Sequence, residues 1–284
     1  VHEQFLTDTT DYADIVLPAT TFFEHKDLVS AYGHYYLQVS HQAIEPLGEC
    51  RSNVELFREL ALRMGFEDEC FRQPVDAMID QALASGAPQL SGITRERLEM
   101  EPQVRLNLHG DGSDAPWLPF AEGFATSGGK ALLYNHDITA QGMDPVATFI
   151  APAESRHQGS VKFPLELLAR KADNFLNSTF TNQPTIQKME RRHELEMNRG
   201  DAQRRGISDG DRIRVFNTRG EMFLRASVDG AVPPGVVSAR LDWAKLSANG
   251  VNVNVLTSDR LSDMSGGATF YSTLVEVERA TEAS

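Results

Sequence analysis

The 284-residue sequence predicts an α/β plus β chain: an α/β segment followed by a small β-barrel or sandwich. Three observations carry this expectation. An apolar run at residues 14–18 precedes a helical apolar pattern at 54–64, and the last third breaks into short alternating runs between Gly and Pro turns. Hydrophobic residues make up 41% and charged residues 24%, which is enough apolar material for a packed core.

The opening residues, Val1 to Phe5, lack an initiator Met, a basic region and an apolar stretch, so they are not a signal peptide. They read as a strand already under way and predict a piece of a longer polypeptide. Residues 14–18 (DIVLP) then read as a strand buried on both faces. Asn53 is the expected N-cap of a helix with apolar residues at Val54, Phe57, Leu60, Ala61 and Met64, and Gly65 stops it. A second helix is expected over 75–84, closed by Gly86. Residues 101–129 turn rich in Pro, Gly, Asp and Ser, the composition of a long connecting loop. Strands are expected at 212–217, 221–228, 236–240 and 273–278, with turns at Arg219-Gly220 and Pro233-Pro234-Gly235. These textures divide the chain into residues 1–65, 66–155 and 156–284.

Several functions are excluded at this level. A net charge of −13 opposes a nucleic-acid surface, and the basic pairs Arg191-Arg192 and Arg204-Arg205 are too short to reverse it. No apolar run approaches the ~18 residues of a membrane span. Cys50 and Cys70 make neither a disulfide framework nor a four-ligand metal site, and are expected as buried structural thiols. An iron–sulfur cluster needs about four cysteines, so this chain holds none by itself.

Familiar catalytic signatures fail in turn. Residues 123–128 have phosphate-loop glycine spacing, but Gly129 stands where Lys is required and Ala131 follows Lys130 without a hydroxyl. No G-x-G-x-x-G follows a strand. None of the eight histidines has another at i+4, and no G-x-S-x-G elbow accompanies them. His25, next to Glu24, and His34 are the most suggestive because they lie beyond a strand's carboxyl end. The charged residues 190–194 read as a solvated face.

What stands out is a set of uncharged polar groups in the last third. Asn174, Asn177, Ser178 and Thr179 are unusual for a strand. Asn198 and Asp201 precede a short helix at 202–205, where either could also be an N-cap. Asn252 and Asn254 sit between apolar residues. Amides and carboxylates offer paired donors and acceptors that suit the edge of a heterocycle such as guanine or pterin.

These residues also carry a resemblance. Residues 7–20 (TDTTDYADIVLPAT) resemble the T-E-T…A-D-V-V-L-P signature of the dimethyl sulfoxide reductase family of molybdopterin oxidoreductases. Glu24, residues 35–38, residues 46–49 and the helix ending at Gly65 continue the match in order. Residues 127–134 (SGGKALLY) are similar to its S-G-K-x-E-L-Y, with an extra glycine and with Leu133 where an acid is common. Residues 163–168 resemble the opening strand of the family's dinucleotide-binding domain, and residues 175–180 (FLNSTF) its next turn. Residues 197–202 (MNRGDA) resemble I-N-P-x-D-A with Arg199 for proline. Residues 205–217 resemble R-G-I-x-D-G-D-x-V-x-V-x-N, and residues 254–257 resemble N-x-L-T.

The resemblance implies the end of a Rossmann-like α/β domain at 1–65, a connecting region packed on other domains at 66–155, and a double-psi β-barrel at 156–284. It implies a molybdopterin guanine dinucleotide cofactor with molybdenum or tungsten, contacted by Lys171, Asn177, Ser178, Asn198, Asp201 and Asn254, with Thr7 and Thr9 at the strand end. The metal ligand, and an iron–sulfur cluster where the family carries one, would lie upstream; no catalytic or metal-ligating residue is assigned here. The implied partners are amino-terminal domains of the same enzyme and electron-transfer subunits. The expected activity of the complete enzyme is two-electron redox or oxygen-atom transfer, with the compartment left open. Two rivals are a stand-alone barrel that binds a ligand or partner without catalysis, and a hydrolase using His25 or His34 with an acid.

Overall fold

The computed structural model describes residues 1–113, 115–157, 162–190, 193–247 and 250–281. Arg191-Arg192 therefore lies outside the described residues. The chain divides into two compact units, Val1–Gln141 and Gly142–Ser284.

In the first unit, β1 (His2–Glu3) pairs in parallel with β2 (Leu17–Pro18). The expected doubly buried strand at 14–18 is shorter and more open: only Leu17–Pro18 is extended, and Ile15 is 67% exposed. A parallel strand is covered only when other elements lie on both faces, and here β1 is its principal neighbour. An unpredicted sheet follows, in which β3 (Asp27–Ser30) and β4 (Tyr36–Ser40) form an antiparallel pair joined by β5 (Val104–Arg105).

Helix α1 (Asn53–Arg63) is capped one residue earlier than expected. Ser52 Oγ accepts the Glu55 amide while the Glu55 carboxylate accepts the Ser52 amide, a capping box whose cap contributes about 1 kcal/mol. Asn53 is thereby released to meet His2 Nδ1 at 3.0 Å. Gly65, at φ +82°, lets the chain leave the helix as predicted. Phe57, Leu60, Leu62 and Met64 remain exposed. Helices α2 (Val75–Leu83) and α3 (Arg95–Met100) pack Ile79, Leu83 and Leu98 against Leu37 and Val104 of the small sheet. A short helix, α4 (His136–Thr139), ends this unit.

The second unit is a closed six-stranded barrel. Its strands are β6 (Leu165–Arg170), β7 (Glu194–Met197), β8 (Arg212–Phe216), β9 (Glu221–Ser227), β10 (Val236–Arg240) and β11 (Thr273–Arg279). The order around the barrel is β10-β6-β11-β8-β9-β7, with β10–β6 and β7–β9 parallel and the other pairs antiparallel. Alternation in the sequence produces this closure: Leu165, Leu167 and Ala169 of β6 point inward, as do Ile213 and Val215 of β8. Each fully buried aliphatic side chain contributes about 1.5–3 kcal/mol. Helices α5 (Pro184–Met189) and α6 (Arg199–Arg204) occupy the connections flanking β7.

Candidate functional site

Strand β6 delivers the chain to an exposed Lys171, and the loop from there to β7 carries most of the predicted polar residues. Phe175 anchors it in the interior. The Thr179 amide bonds back to the Leu176 carbonyl at 2.9 Å, making a tight turn with Asn177 and Ser178 at its tip. Asn177 (φ +54°) and Phe180 (φ +63°) both adopt the left-handed conformation. For a bulky residue such as Phe this conformation persists only where surrounding contacts impose it, and such residues cluster at functional sites. Those contacts include Thr181 Oγ1 donating to the Asn177 carbonyl at 2.7 Å and Gln187 Nε2 donating to the Thr181 carbonyl at 3.0 Å. Beside them the Asn182 side-chain oxygen is buried without a hydrogen-bond partner.

The loop between β10 and β11 is built differently. Asn252 Oδ1 accepts the Asn254 amide at 2.9 Å and caps a single helical turn, while Val253 and Leu256 insert into the barrel core. The Leu256 carbonyl accepts both Asn217 Nδ2 at 2.8 Å and Arg219 Nε at 2.7 Å. Arg219 also grips Glu154 through both terminal nitrogens, at 2.9 and 2.7 Å. The Asn254 side chain is left exposed at the surface. Phe175 from the first loop and Asn252 and Val253 from the second line one cavity, together with Met222, Glu190 and Arg240. The 171–182 and 252–257 segments are thus neighbours at one end of the barrel.

Asn198 and Asp201 are not brought to that end. Glu190 and His193 precede the first residue of β7, whereas Asn198 follows its last, and a four-residue strand spans ~13 Å. Asn198 Oδ1 caps α6 through the Gly200 amide at 2.9 Å, and its Nδ2 donates to the Val232 carbonyl at 3.2 Å. Asp201 is 2% exposed; it accepts the Gly235 amide at 2.7 Å and pairs with Arg204. Both side chains therefore have internal partners that hold α6 and the 233–235 turn.

In the first unit, the Thr7 hydroxyl is buried and makes no hydrogen bond, whereas Thr9 is exposed on a 3-10 turn beginning at Asp8. Glu24 is a staple: its carboxylate accepts the Thr21 amide at 2.6 Å and the Leu47 amide at 2.7 Å. Those backbone donors, Thr21 first, hold the carboxyl below the ordinary carboxylate pKa. His25 Nδ1 meets Thr20 Oγ1 at 2.8 Å, and His34 Nδ1 accepts the Tyr36 amide at 3.2 Å. Neither ring hydrogen-bonds an acid among the described residues, so the hydrolase reading gains no support.

Two expectations need correction. The 190–194 charge run is not a solvated face at Glu190, whose side chain is buried and paired with Arg240 at 2.9 Å; this carboxylate's donors lie on Asp173, Asn174 and Arg240, outside the run. The cysteines are free but not buried, with Cys50 half-buried and Cys70 exposed, because each lies in a surface segment and neither supplies a core position. Among the described residues there is no cluster of three or more His, Cys, Asp or Glu that could hold a metal, and no helix long and apolar enough to cross a membrane. Asn182, Glu190, Asn217 and Arg219 join the site only in the structure. Asn182 extends the amide-rich stretch that begins at Asn174, a local signal; the other three act through partners far away in sequence.

Residues 165–274 match the family described as the molydopterin dinucleotide binding domain, and residues 1–63 match the molybdopterin oxidoreductase family. The chain is 38% identical over 280 residues to probable oxidoreductase YoaE of Bacillus subtilis (strain 168), covering 98% of this chain and 39% of that protein. It is 30% identical over 309 residues to dimethyl sulfoxide reductase DmsA of Escherichia coli (strain K12), covering 96% of this chain and 37% of that protein. Among solved structures, acetylene hydratase from Pelobacter acetylenicus shares the fold with a TM-score of 0.75 at 24% identity, over 98% of this chain and 40% of that one. The chain thus spans about two fifths of the length of these relatives. With both family matches in sequence order and a closed double-psi β-barrel in the second, the chain belongs to the dimethyl sulfoxide reductase family of molybdopterin oxidoreductases.

Proposed function

We propose that this chain contributes the dinucleotide grip of a complete enzyme performing two-electron redox or oxygen-atom transfer. The cofactor in this reading is a molybdopterin guanine dinucleotide carrying molybdenum or tungsten. The observation that carries the reading is the buried, unpartnered Asn182 oxygen in a loop held left-handed at Asn177 and Phe180. A buried acceptor without a donor is costly, by about 1–3 kcal/mol, and a ligand that brings N–H groups removes that cost. Pterin and guanine edges bring such groups, so the residues present fit the cofactor.

Lys171, Asn177, Ser178, Asn182 and Asn254 would contact the dinucleotide from one end of the barrel, with Lys171 offering a positive charge to phosphate. Thr7, whose buried hydroxyl is also unpartnered, and Thr9 would contribute from the first unit. Asn198 and Asp201 would act by holding α6 and the 233–235 turn. When bound, the cofactor supplies the electron-transfer chemistry, while these residues orient it and exclude water. The exposed side chains of Phe57, Leu60 and Leu62 on α1 and of Met64 at its C-cap fit packing against other domains of the same enzyme. Electron-transfer subunits are further proposed partners of the complete protein.

The test uses the complete enzyme. Asn177→Ala, Asn254→Ala and Thr7→Val should each lower metal and guanine dinucleotide content several-fold. In the cofactor-free protein Asn254→Ala and Thr7→Val should leave the unfolding midpoint near its original value, while Asn177→Ala lowers it slightly because alanine is strained at φ +54°. Thr7→Val removes only an unpartnered hydroxyl, so its midpoint should stay level or rise. Wild-type cofactor content in all three variants would sink the assignment.

A further inference from the structure

We infer that Glu190 is a positioning residue: it ties the two ends of the 171–190 loop together, so that its ligand-facing groups are in place before the dinucleotide arrives. This rests on the reading of that loop as a dinucleotide contact. The Glu190 side chain is 1% exposed. Its oxygens accept the Asp173 amide at 3.1 and 3.2 Å, the Asn174 amide at 3.0 Å and Asn174 Nδ2 at 2.9 Å. Arg240 Nε completes the set at 2.9 Å. The backbone donors open the loop and the carboxylate that receives them closes it, immediately after α5.

The clamp is fastened to the barrel itself. Arg240, the last residue of β10 and 6% exposed, also reaches Asp173 at 2.9 Å and Glu196 of β7 at 3.3 Å. Arg170, the last residue of β6, spans the same two acids at 2.8 and 2.9 Å. Three strands therefore fix the point where the loop begins. Glu190 makes no hydrogen bond to Asn177, Ser178 or Asn182 among the described residues, so its effect on a ligand runs through the backbone. A loop ordered beforehand loses less conformational freedom on binding, which slows release of the bound group. A charged acceptor suits the role because it holds amides and a guanidinium at once. Glutamine keeps an acceptor for the amides and loses the charge that pairs with Arg240.

Two measurements on the full-length protein test this: amide hydrogen exchange when it is expressed without cofactor, and the rate of pterin release once loaded. Glu190→Ala should exchange at least tenfold faster at Asp173 and Asn174, leave β8 and β11 at wild-type rates, and release pterin at least tenfold faster. Glu190→Gln should recover part of both effects. Asn177→Ala should speed release without changing exchange at Asp173 and Asn174. Faster exchange with wild-type release in Glu190→Ala overturns the proposal when Asn177→Ala still releases faster; wild-type exchange in the loop also overturns it. If both alanine variants release at the wild-type rate, the reading of the loop as a dinucleotide contact fails, and the exchange data show separately whether the clamp exists. Should Glu190→Ala not fold, Glu190→Gln decides: faster exchange confined to 171–182 with faster release supports the clamp, and wild-type values refute it.

Discussion

Asp201 Oδ2 accepts the amide of Gly235 at 2.7 Å, joining the first turn of α6 to the turn that launches β10. The Gly235 carbonyl in turn accepts the Glu166 amide at 2.9 Å, so the same turn registers β10 beside β6. Asp201→Ala removes the acceptor of the partly buried Gly235 amide, and a loss of about 1–3 kcal/mol is expected in urea unfolding. Asp201→Asn keeps an oxygen for Gly235 and should recover most of that loss. Equal destabilisation by the two variants would show that charge pairing with Arg204, and not the Gly235 bond, is what matters.

Gly220 is required by close approach. A Cβ there would lie 2.7 Å from Val255 Cγ2 and 3.1 Å from the Val255 carbonyl oxygen. Gly220→Ala must therefore push the 252–257 loop off the β8–β9 hairpin. A cost of about 1–3 kcal/mol is expected, the range for inserting a methyl into a packed contact. Faster amide exchange at Val255 and Leu256 should accompany it, and unchanged exchange there would show that the loop does not rest on the hairpin.

Legibility in the sequence followed range. Strands β8 and β9 are legible because inward and outward residues alternate within each, as Ile213 and Val215 do between arginines, and β10 because a short apolar run follows the Pro233-Pro234-Gly235 turn. Strand β5 is not, because it consists of Val104 and Arg105 and owes its existence to β4, far back in the chain. Local sequence puts the cap of α1 one residue late because Ser52 and Asn53 are both good caps, and only the reciprocal Glu55 contact decides between them. In the site, Asn177 and Asn254 stood out as amides in apolar surroundings. That Asn198 lies at the other end of β7 from the 171–182 loop depends on strand direction, which no local pattern encodes. Glu190 looked solvated because it sits in a charge run, while its partner Arg240 is on another strand.

Glu154 gives an acid-side signature. Burial raises its carboxyl pKa, but the Arg219 guanidinium and the Leu274 amide, which donates at 2.6 Å, outweigh that and leave it below the ordinary 4.5. A carboxylate depressed in the folded state contributes stability that is fully present above the unfolded-state pKa. That contribution is lost as pH falls from about that value through the lower folded-state value. Glu154→Gln should therefore be less stable than wild type at neutral pH, with the gap narrowing as pH drops below 4.5. Parallel stability curves for the two proteins over that range would rule out this linkage.

The ring order of the barrel bears on the timing of assembly. Strand β11 fills the seam between β6 and β8, so the barrel stays open until residue 279 has been synthesised. Strand β6, made first in this unit, must wait for both β10 and β11, its two neighbours. On a ribosome adding ~5–20 residues per second, the polypeptide before β11 emerges with an unsealed barrel. The loops that leave β6 and β10 therefore gain a closed barrel beneath them only after translation has passed β11.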